Sequence, residues 1–260
     1  MTRHDGGLSA VWYLEVLQAL HERLAPRTYL EIGVGEGDSL ALARGRAIGI
    51  DPHFALTREV DGDVCLVRST SDDFFATQQV TDRTRGLPVD LGFVDSANLF
   101  EFALRDVVNL ERYAAPRSVL VVHHVLPRSV DDAARMQHTA DRTGDAFRLT
   151  EVLRRYRPDL LVLPVDTEPH GVLLLAGLDP TSTVLADAYD AILAEYRRPD
   201  PQLVPADVLD RIDAVPAHRL LGSGLLTALA DRDSDDATWW TGVRDSVLAC
   251  AGPAFVGAVR

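Results

Sequence analysis

The sequence predicts an α/β fold: a mostly parallel sheet of seven strands in a three-layer sandwich, closed by a C-terminal antiparallel hairpin and followed by a helical extension. Three observations predict it. Short apolar runs recur along the first two thirds of the chain, separated by stretches of helical periodicity. Three glycines, Gly33, Gly35 and Gly37, stand at alternate positions directly after the first run. Several runs end on chemically functional residues, namely Asp51, Asp95 and His123-His124. Strand, glycine turn, helix, strand and acid, in that order, is the opening βαβ unit of a Rossmann-like, nucleotide-binding sheet.

The elements follow in order. Leu8 to Leu24 carries Val11, Leu14, Leu17, Leu20 and Leu24 at helical spacing, with Ser9 as the expected N-cap and Pro26 as the stop. This helix is expected on the sheet or over the ligand mouth, chiefly as packing. Tyr29 to Ile32 is the first strand, and a short helix is expected from Asp38-Ser39. Ala47 to Ile50 is the second strand and ends on Asp51, about twenty residues after the turn begins, the distance the unit needs. Val64 to Val67 is the third strand. The loop after it, Ser69 to Asp73, faces the same crevice, because ligands in open α/β sheets bind beyond the carboxyl ends of the strands. Ser71 and Asp72 there contact a ligand, cap the next helix, or both.

Leu91 to Val94 is the fourth strand, and Leu99 to Tyr113 an amphipathic helix. Ser118 to Val122 is the fifth strand, ending on His123-His124. A helix is expected over Ala146 to Tyr156. Strands Leu160–Val165 and Val172–Leu175 are joined by a link short enough for a hairpin. Beyond Pro180, helices are expected at Val184–Tyr196, Ala206–Val215 and Leu220–Asp231. The aromatic pair Trp239-Trp240 reads as packing or a subunit contact.

The chain has 260 residues, of which 47% are hydrophobic, enough for one α/β domain with an appendage. Its net charge of −13 argues against a nucleic-acid partner, which needs a basic face. Every Lys/Arg position is arginine. Cys65 and Cys250 form no CxxC motif, and no disulfide framework is indicated. No signal-peptide pattern or membrane-length apolar run is evident, so no membrane partner and a cytoplasmic location are expected.

The glycine spacing is G-x-G-x-G, with Asp38 where a dinucleotide fingerprint needs its last glycine, and Glu31 precedes the first glycine. With GIDP, SDDFF, GFVDSANLFEFALRDVVNLERY and VVHHVLP following YLEIGVGEG in order, Tyr29 to Pro127 resembles the class I S-adenosyl-L-methionine (SAM) dependent methyltransferases, in a bacterial small-molecule branch. Support through the hairpin to Leu178 is weaker, and the tail from Thr181 carries no such likeness. The resemblance implies a SAM-binding domain over 1–180, its N-terminal helix within 1–26, and a helical extension over 181–260. It also implies that Gly33, Gly35, Gly37 and Ser39 pass the methionine moiety, whose amino group Glu31 anchors through water or backbone. Asp51 would hold the ribose, Ser71 or Asp72 the adenine, and Asp95 the methionine end or the substrate.

Two positions depart from the related pattern. Ser96-Ala97-Asn98 stands where Gly-x-His is usual, and His123-His124 where His-Asp or Asp-Asp is usual. In many O-methyltransferases those acids bind a divalent cation. The present residues supply Mg²⁺ poorly, whereas Asp95, His123 and His124 suit a softer ion such as Zn²⁺ or Fe²⁺. No metal ligand is assigned, and the question of a divalent metal stays open. Either histidine suits a general base, and adjacent residues of an extended chain point opposite ways, so one of them need face the crevice. The implied activity is SAM-dependent methylation of a small molecule, at oxygen of a sugar or secondary metabolite. The alternatives are SAM binding without methyl transfer, non-methylating SAM chemistry and an NAD-dependent oxidoreductase. The extension would serve as a homodimer interface or a lid.

Overall fold

The computed structural model describes residues 10–96, 98–137 and 142–255. The expected cap Ser9 and the loop residue Ala97 lie outside them. Helix α1 (Tyr13–Leu24) is shorter than the expected Leu8 start, and Trp12 is its N-cap, with Glu15 Oε1 accepting from the Trp12 amide at 2.9 Å. It buries Leu17, Leu20 and Leu24 of the predicted stripe, with Val16 beside them, while Val11 and Leu14 are only partly buried.

The central elements are β1 (Thr28–Ile32), β2 (Arg46–Ile50), β3 (Val64–Val67), α2 (Ser71–Thr77), α3 (Val80–Thr84), β4 (Val89–Val94), α4 (Phe100–Glu111), β5 (Ala114–His123), α5 (Arg148–Tyr156), β6 (Leu161–Asp166) and β7 (Val172–Ala176). Three-residue and four-residue 3₁₀ turns occupy Leu40–Leu42 and Gly144–Phe147. In the tail are α6 (Val184–Asp187), α7 (Tyr189–Tyr196), α8 (Ala206–Leu209), β8 (Val215–Pro216), α9 (Ala217–Leu221), α10 (Leu225–Ala230) and α11 (Asp236–Ala251).

The sheet has the order β3-β2-β1-β4-β5-β7-β6-β8, parallel except for β7, which runs antiparallel to both β5 and β6. The order reverses between β1 and β4, and the carboxyl ends of these strands form the switch point. The predicted hairpin is present, but the sheet has eight strands and not seven. The extra strand comes from tail residues expected to be helical. After α8, Arg211 takes a left-handed φ of 55°, and Val215 then pairs in parallel with Val165. Two more expected helices are each split. Val184–Tyr196 breaks at Ala188, whose ψ is 0°, and Leu220–Asp231 breaks at the Gly222-Ser223-Gly224 turn.

Side chains alternate across the strands into two cores. Tyr29, Leu91, Phe93, Val119 and Val121 pack under α1 together with Leu220, Leu225, Leu229, Trp239 and Val243 of α9, α10 and α11. Leu30, Ile32, Ile48, Val94, Leu120 and Val122 pack under α2, α4, α5, α6 and α7. The tail thus contributes apolar side chains to both faces. Trp239 is buried, and a Cβ on Gly177 would lie 2.3 Å from the Trp240 ring, so the tryptophan pair serves packing. Among the described residues, no helix is long and apolar enough to cross a membrane.

Candidate functional site

The glycine crest sits at the switch point, and its three glycines have distinct reasons to be glycine. Gly33 has φ 89°, and a Cβ there would stand 2.0 Å from the Asp95 carbonyl oxygen, so only glycine lets the crest close against the end of β4. A Cβ on Gly37 would meet Leu56 Cδ2 at 2.7 Å. Gly35 has φ 54°, and a Cβ there would meet nothing within 4 Å; it opens into the crevice.

The short helix expected at Asp38-Ser39 is a 3₁₀ turn over Leu40–Leu42. A single such turn carries little of the partial charge of a longer helix end. The crest amides meet an internal acid instead. Asp51 Oδ2 accepts from the Val34 and Gly35 amides at 2.8 and 2.9 Å, and its Oδ1 from the His53 amide at 2.6 Å. The predicted acid therefore touches the predicted loop directly.

Two adjoining clefts open here and share Gly33, Asp51, Asp95 and Ser96. One, of about 470 Å³, is mainly apolar, walled by Ile32, Ile50, Pro52 and Phe102 with Thr70, Ser71 and Asp72 at its side. The other, of about 280 Å³, is polar, lined by Tyr13, Glu36, Asp38, Ser39 and Asn98. The helix cap expected from Ser71 or Asp72 is made by Thr70, whose hydroxyl accepts from the Asp73 amide at 3.1 Å. Thr70 stands one residue earlier, in extended conformation, where a cap must be. Asp72 is instead paired with Arg105, and Arg105 Nε also donates to the Tyr189 hydroxyl of α7 at 3.1 Å. The tail thereby reaches the rim of the apolar cleft. Beneath that cleft, Asp106 Oδ2 accepts from the Ser96 hydroxyl at 2.8 Å, and burial pushes the Asp106 carboxyl up to about 6.

Glu31 lies beneath the crest, fully buried. Its oxygens accept from the Ser39 hydroxyl and the Tyr29 hydroxyl, both at 2.7 Å. Burial pushes its carboxyl up to about 8, against the pull of those two hydrogen bonds. Its contacts are those of a support under the loop.

At the carboxyl ends of β4 and β5, Asp95 gathers both predicted histidines. His123 Nδ1 lies 3.2 Å from Oδ2 and His124 Nε2 3.2 Å from Oδ1. Burial opposes charge on Asp95, but the two imidazole donors outweigh it and hold the carboxyl well below the usual carboxylate range. Burial pushes the His123 ring down, so it is neutral near pH 7. With Nδ1 donating to Asp95, His123 keeps a lone pair on Nε2, which is buried without a hydrogen-bond partner. Tyr13 stacks on that ring with centroids 4.1 Å apart. Helix α1 therefore reaches the mouth as well as packing on the sheet.

His124 takes a left-handed φ of 61° and is the more accessible of the two rings. Its Nδ1 lies 3.1 Å from Nδ1 of His170, a residue of the β6–β7 link. One N–H lies between the two Nδ1 atoms, so one ring donates and the other accepts. His170 is buried, and burial with the neighbouring His124 lowers it to about 4. No sequence signal marks His170, because it comes into range only when the hairpin folds back beside β5. Neither His123 nor His124 lines the two clefts; Asp95 lines both.

Asp95, His123 and His124 offer ligand atoms that all lie within 4.8 Å of one another. One carboxylate and two imidazoles fit a borderline ion such as Zn²⁺ or Fe²⁺ and are poor ligands for Mg²⁺.

A parallel sheet that reverses at β1/β4, with one antiparallel strand between β5 and β6, is a Rossmann-like α/β arrangement, the fold that the sequence resemblance implies. No family model matches the chain, and no curated protein does. Several solved structures resemble it at low identity. An S-adenosylhomocysteine-bound methyltransferase of Podospora anserina is 15% identical, over 64% of this chain and 78% of that one, at TM-score 0.49. An O-methyltransferase of Streptomyces achromogenes involved in tomaymycin synthesis, in complex with SAM, is 19% identical over 64% and 79%, at TM-score 0.46. An O-methyltransferase of Bacillus cereus is 16% identical over 67% and 84%, at TM-score 0.45.

Proposed function

We propose that the chain is a SAM-dependent methyltransferase acting on a small molecule, at an oxygen of a sugar or secondary metabolite. One observation carries the reading. An apolar and a polar cleft meet over Asp51 and Asp95 beside a crest whose central glycine, Gly35, leaves open room. That shape suits a ligand with a flat base at one end, a diol in the middle and a charged amino acid at the other. Ile50 and Phe102 would cover the base, the Asp51 carboxylate would accept from the ribose hydroxyls, and the crest would hold the amino-acid end.

When bound, SAM supplies a methyl group already activated on a sulfonium, so the protein's task is alignment and exclusion of water. Asp95 is ionised, lines both clefts and is held by two imidazoles, which suits it to accept a hydrogen bond from an acceptor hydroxyl and orient it, not to act as its base. His170, through His124, steadies the far oxygen of Asp95. A borderline metal held by Asp95, His123 and His124 would polarise the acceptor oxygen at the same place.

Calorimetric titration with S-adenosylhomocysteine tests the cofactor, with NADH as the rival ligand. Binding of the first and none of the second is expected, and the reverse preference would overturn the reading. A second reading, SAM binding without turnover, is favoured by the state of the histidines, one walled in by Tyr13 and the other engaged at both nitrogens. Methyl transfer to any acceptor that is lost in His124→Ala or Asp95→Asn would exclude it.

A further inference from the structure

A further cavity lies away from the crest. It holds about 490 Å³, within the range of small-molecule sites, and shares no lining residue with the two crest clefts. It lies between α5, the exit of β5 and the tail segment from Pro205 to Ala214. Its walls are apolar at Leu126, Phe147, Pro164 and Ala214. Arg148, Arg154, Arg155 and Arg211 converge on it, in a chain whose net charge is −13.

The four arginines are not equivalent. Arg154 pairs with Asp213 at 3.5 Å, Arg155 with Glu195, and Arg211 with Asp166. Among the described residues, Arg148 forms no ion pair with a carboxylate. Its Nη2 donates to the neutral Gln202 Oε1 at 3.0 Å, and its Nε is buried with no hydrogen-bond partner. Its guanidinium lies over the Phe147 ring, 4.9 Å from the centroid. The nearby Asp145 carboxylate is already bound by Arg135 at 2.5 Å. Three acids, Glu151, Asp207 and Asp213, line the cavity beside the four arginines. A guanidinium on a cavity wall without an ion pair suits an anionic acceptor at its Nη groups.

We propose that this cavity is a second ligand site for a small molecule with an apolar body and one anionic head, a carboxylate or phosphate, seated on Arg148. The fork of a guanidinium suits either head. The body lies along Leu126, Phe147, Pro164 and Ala214.

The test is calorimetry on the full chain saturated with S-adenosylhomocysteine, using octanoate, octyl phosphate and 1-octanol. One-to-one binding of at least one anion is expected, about tenfold or more tighter than octanol, as a charge-assisted hydrogen bond implies. The two anions separate a carboxylate site from a phosphate site. Arg148→Met should remove the preference for the anion and leave octanol unchanged, and Thr150→Trp should block all three by filling the cavity. If Arg148→Met fails to fold, as judged by circular dichroism, Arg148→Gln serves in its place. Equal binding of octanol and both anions, no binding of either anion, competition by S-adenosylhomocysteine, or an anion preference that survives the Arg148 substitution would each overturn the proposal. None of these outcomes depends on methyl transfer.

Discussion

Replacing Glu31 by glutamine tests whether this acid supports the crest from below. The side chain is fully buried, and burial moves its carboxyl from an ordinary 4.5 to about 8. A carboxyl whose pKa is raised on folding binds its proton more tightly in the native state. Its contribution is therefore fully present below pH 4.5, is lost as pH rises, and is gone above about 8. At about 1.4 kcal/mol per pH unit, the whole loss is about 5 kcal/mol. Glutamine keeps the shape and the contacts to Ser39 and Tyr29, whose hydroxyls rotate to suit it. Glu31→Gln should match the wild type near pH 5 and exceed it by several kcal/mol at pH 9. Urea unfolding at pH 5, 7 and 9 measures this directly. Wild-type and variant curves that stay parallel across that range would refute the buried, protonated carboxyl.

Four further outcomes follow from the crest and the loop after β3. Gly33→Ala adds a strained φ, about 1–2 kcal/mol, and a Cβ overlapping a backbone carbonyl that no rotamer change relieves; thermal unfolding should drop by about 6 °C or more. Gly35→Ala carries the strain without the overlap, so it should lower the melting temperature by only about 2–4 °C while weakening S-adenosylhomocysteine binding in calorimetry. Asp51→Ala strips the acceptor from the amides of Val34, Gly35 and His53 and should abolish measurable S-adenosylhomocysteine binding; an unchanged affinity would remove Asp51 from the ligand site. Thr70→Ala removes the cap of α2 and should cost about 1 kcal/mol in urea unfolding with little change in ligand affinity.

What could be read from the sequence, and what could not, divides by sequence separation. Gly33, Gly35 and Asp51 belong to one βαβ unit, so their meeting is implied by the unit itself, and Asp95 is brought in by being the residue after a central strand. Strand burial hides the rest. All five residues of β1 are buried, so apolar alternation gave no sign of which face Glu31 takes, and the acid lies under the loop. His170 comes to His124 across 46 residues, and Tyr189 to Arg105 across 84. Each contact depends on how an antiparallel link or a tail helix folds back, and neither leaves a local pattern. The tail shows the same division. Its helical stretches were visible, but the breaks at Ala188 and at Gly222 to Gly224, and the eighth strand at Val215, depend on what the sheet offers as partners. A strand of two residues has no periodicity to detect; it exists because β6 presents an unpaired edge. The parts of the site that the sequence could not show are the ones that bear on Asp95 from the far side. The surroundings of Asp95 are therefore set as much by the hairpin and α1 as by the motifs that announce the fold.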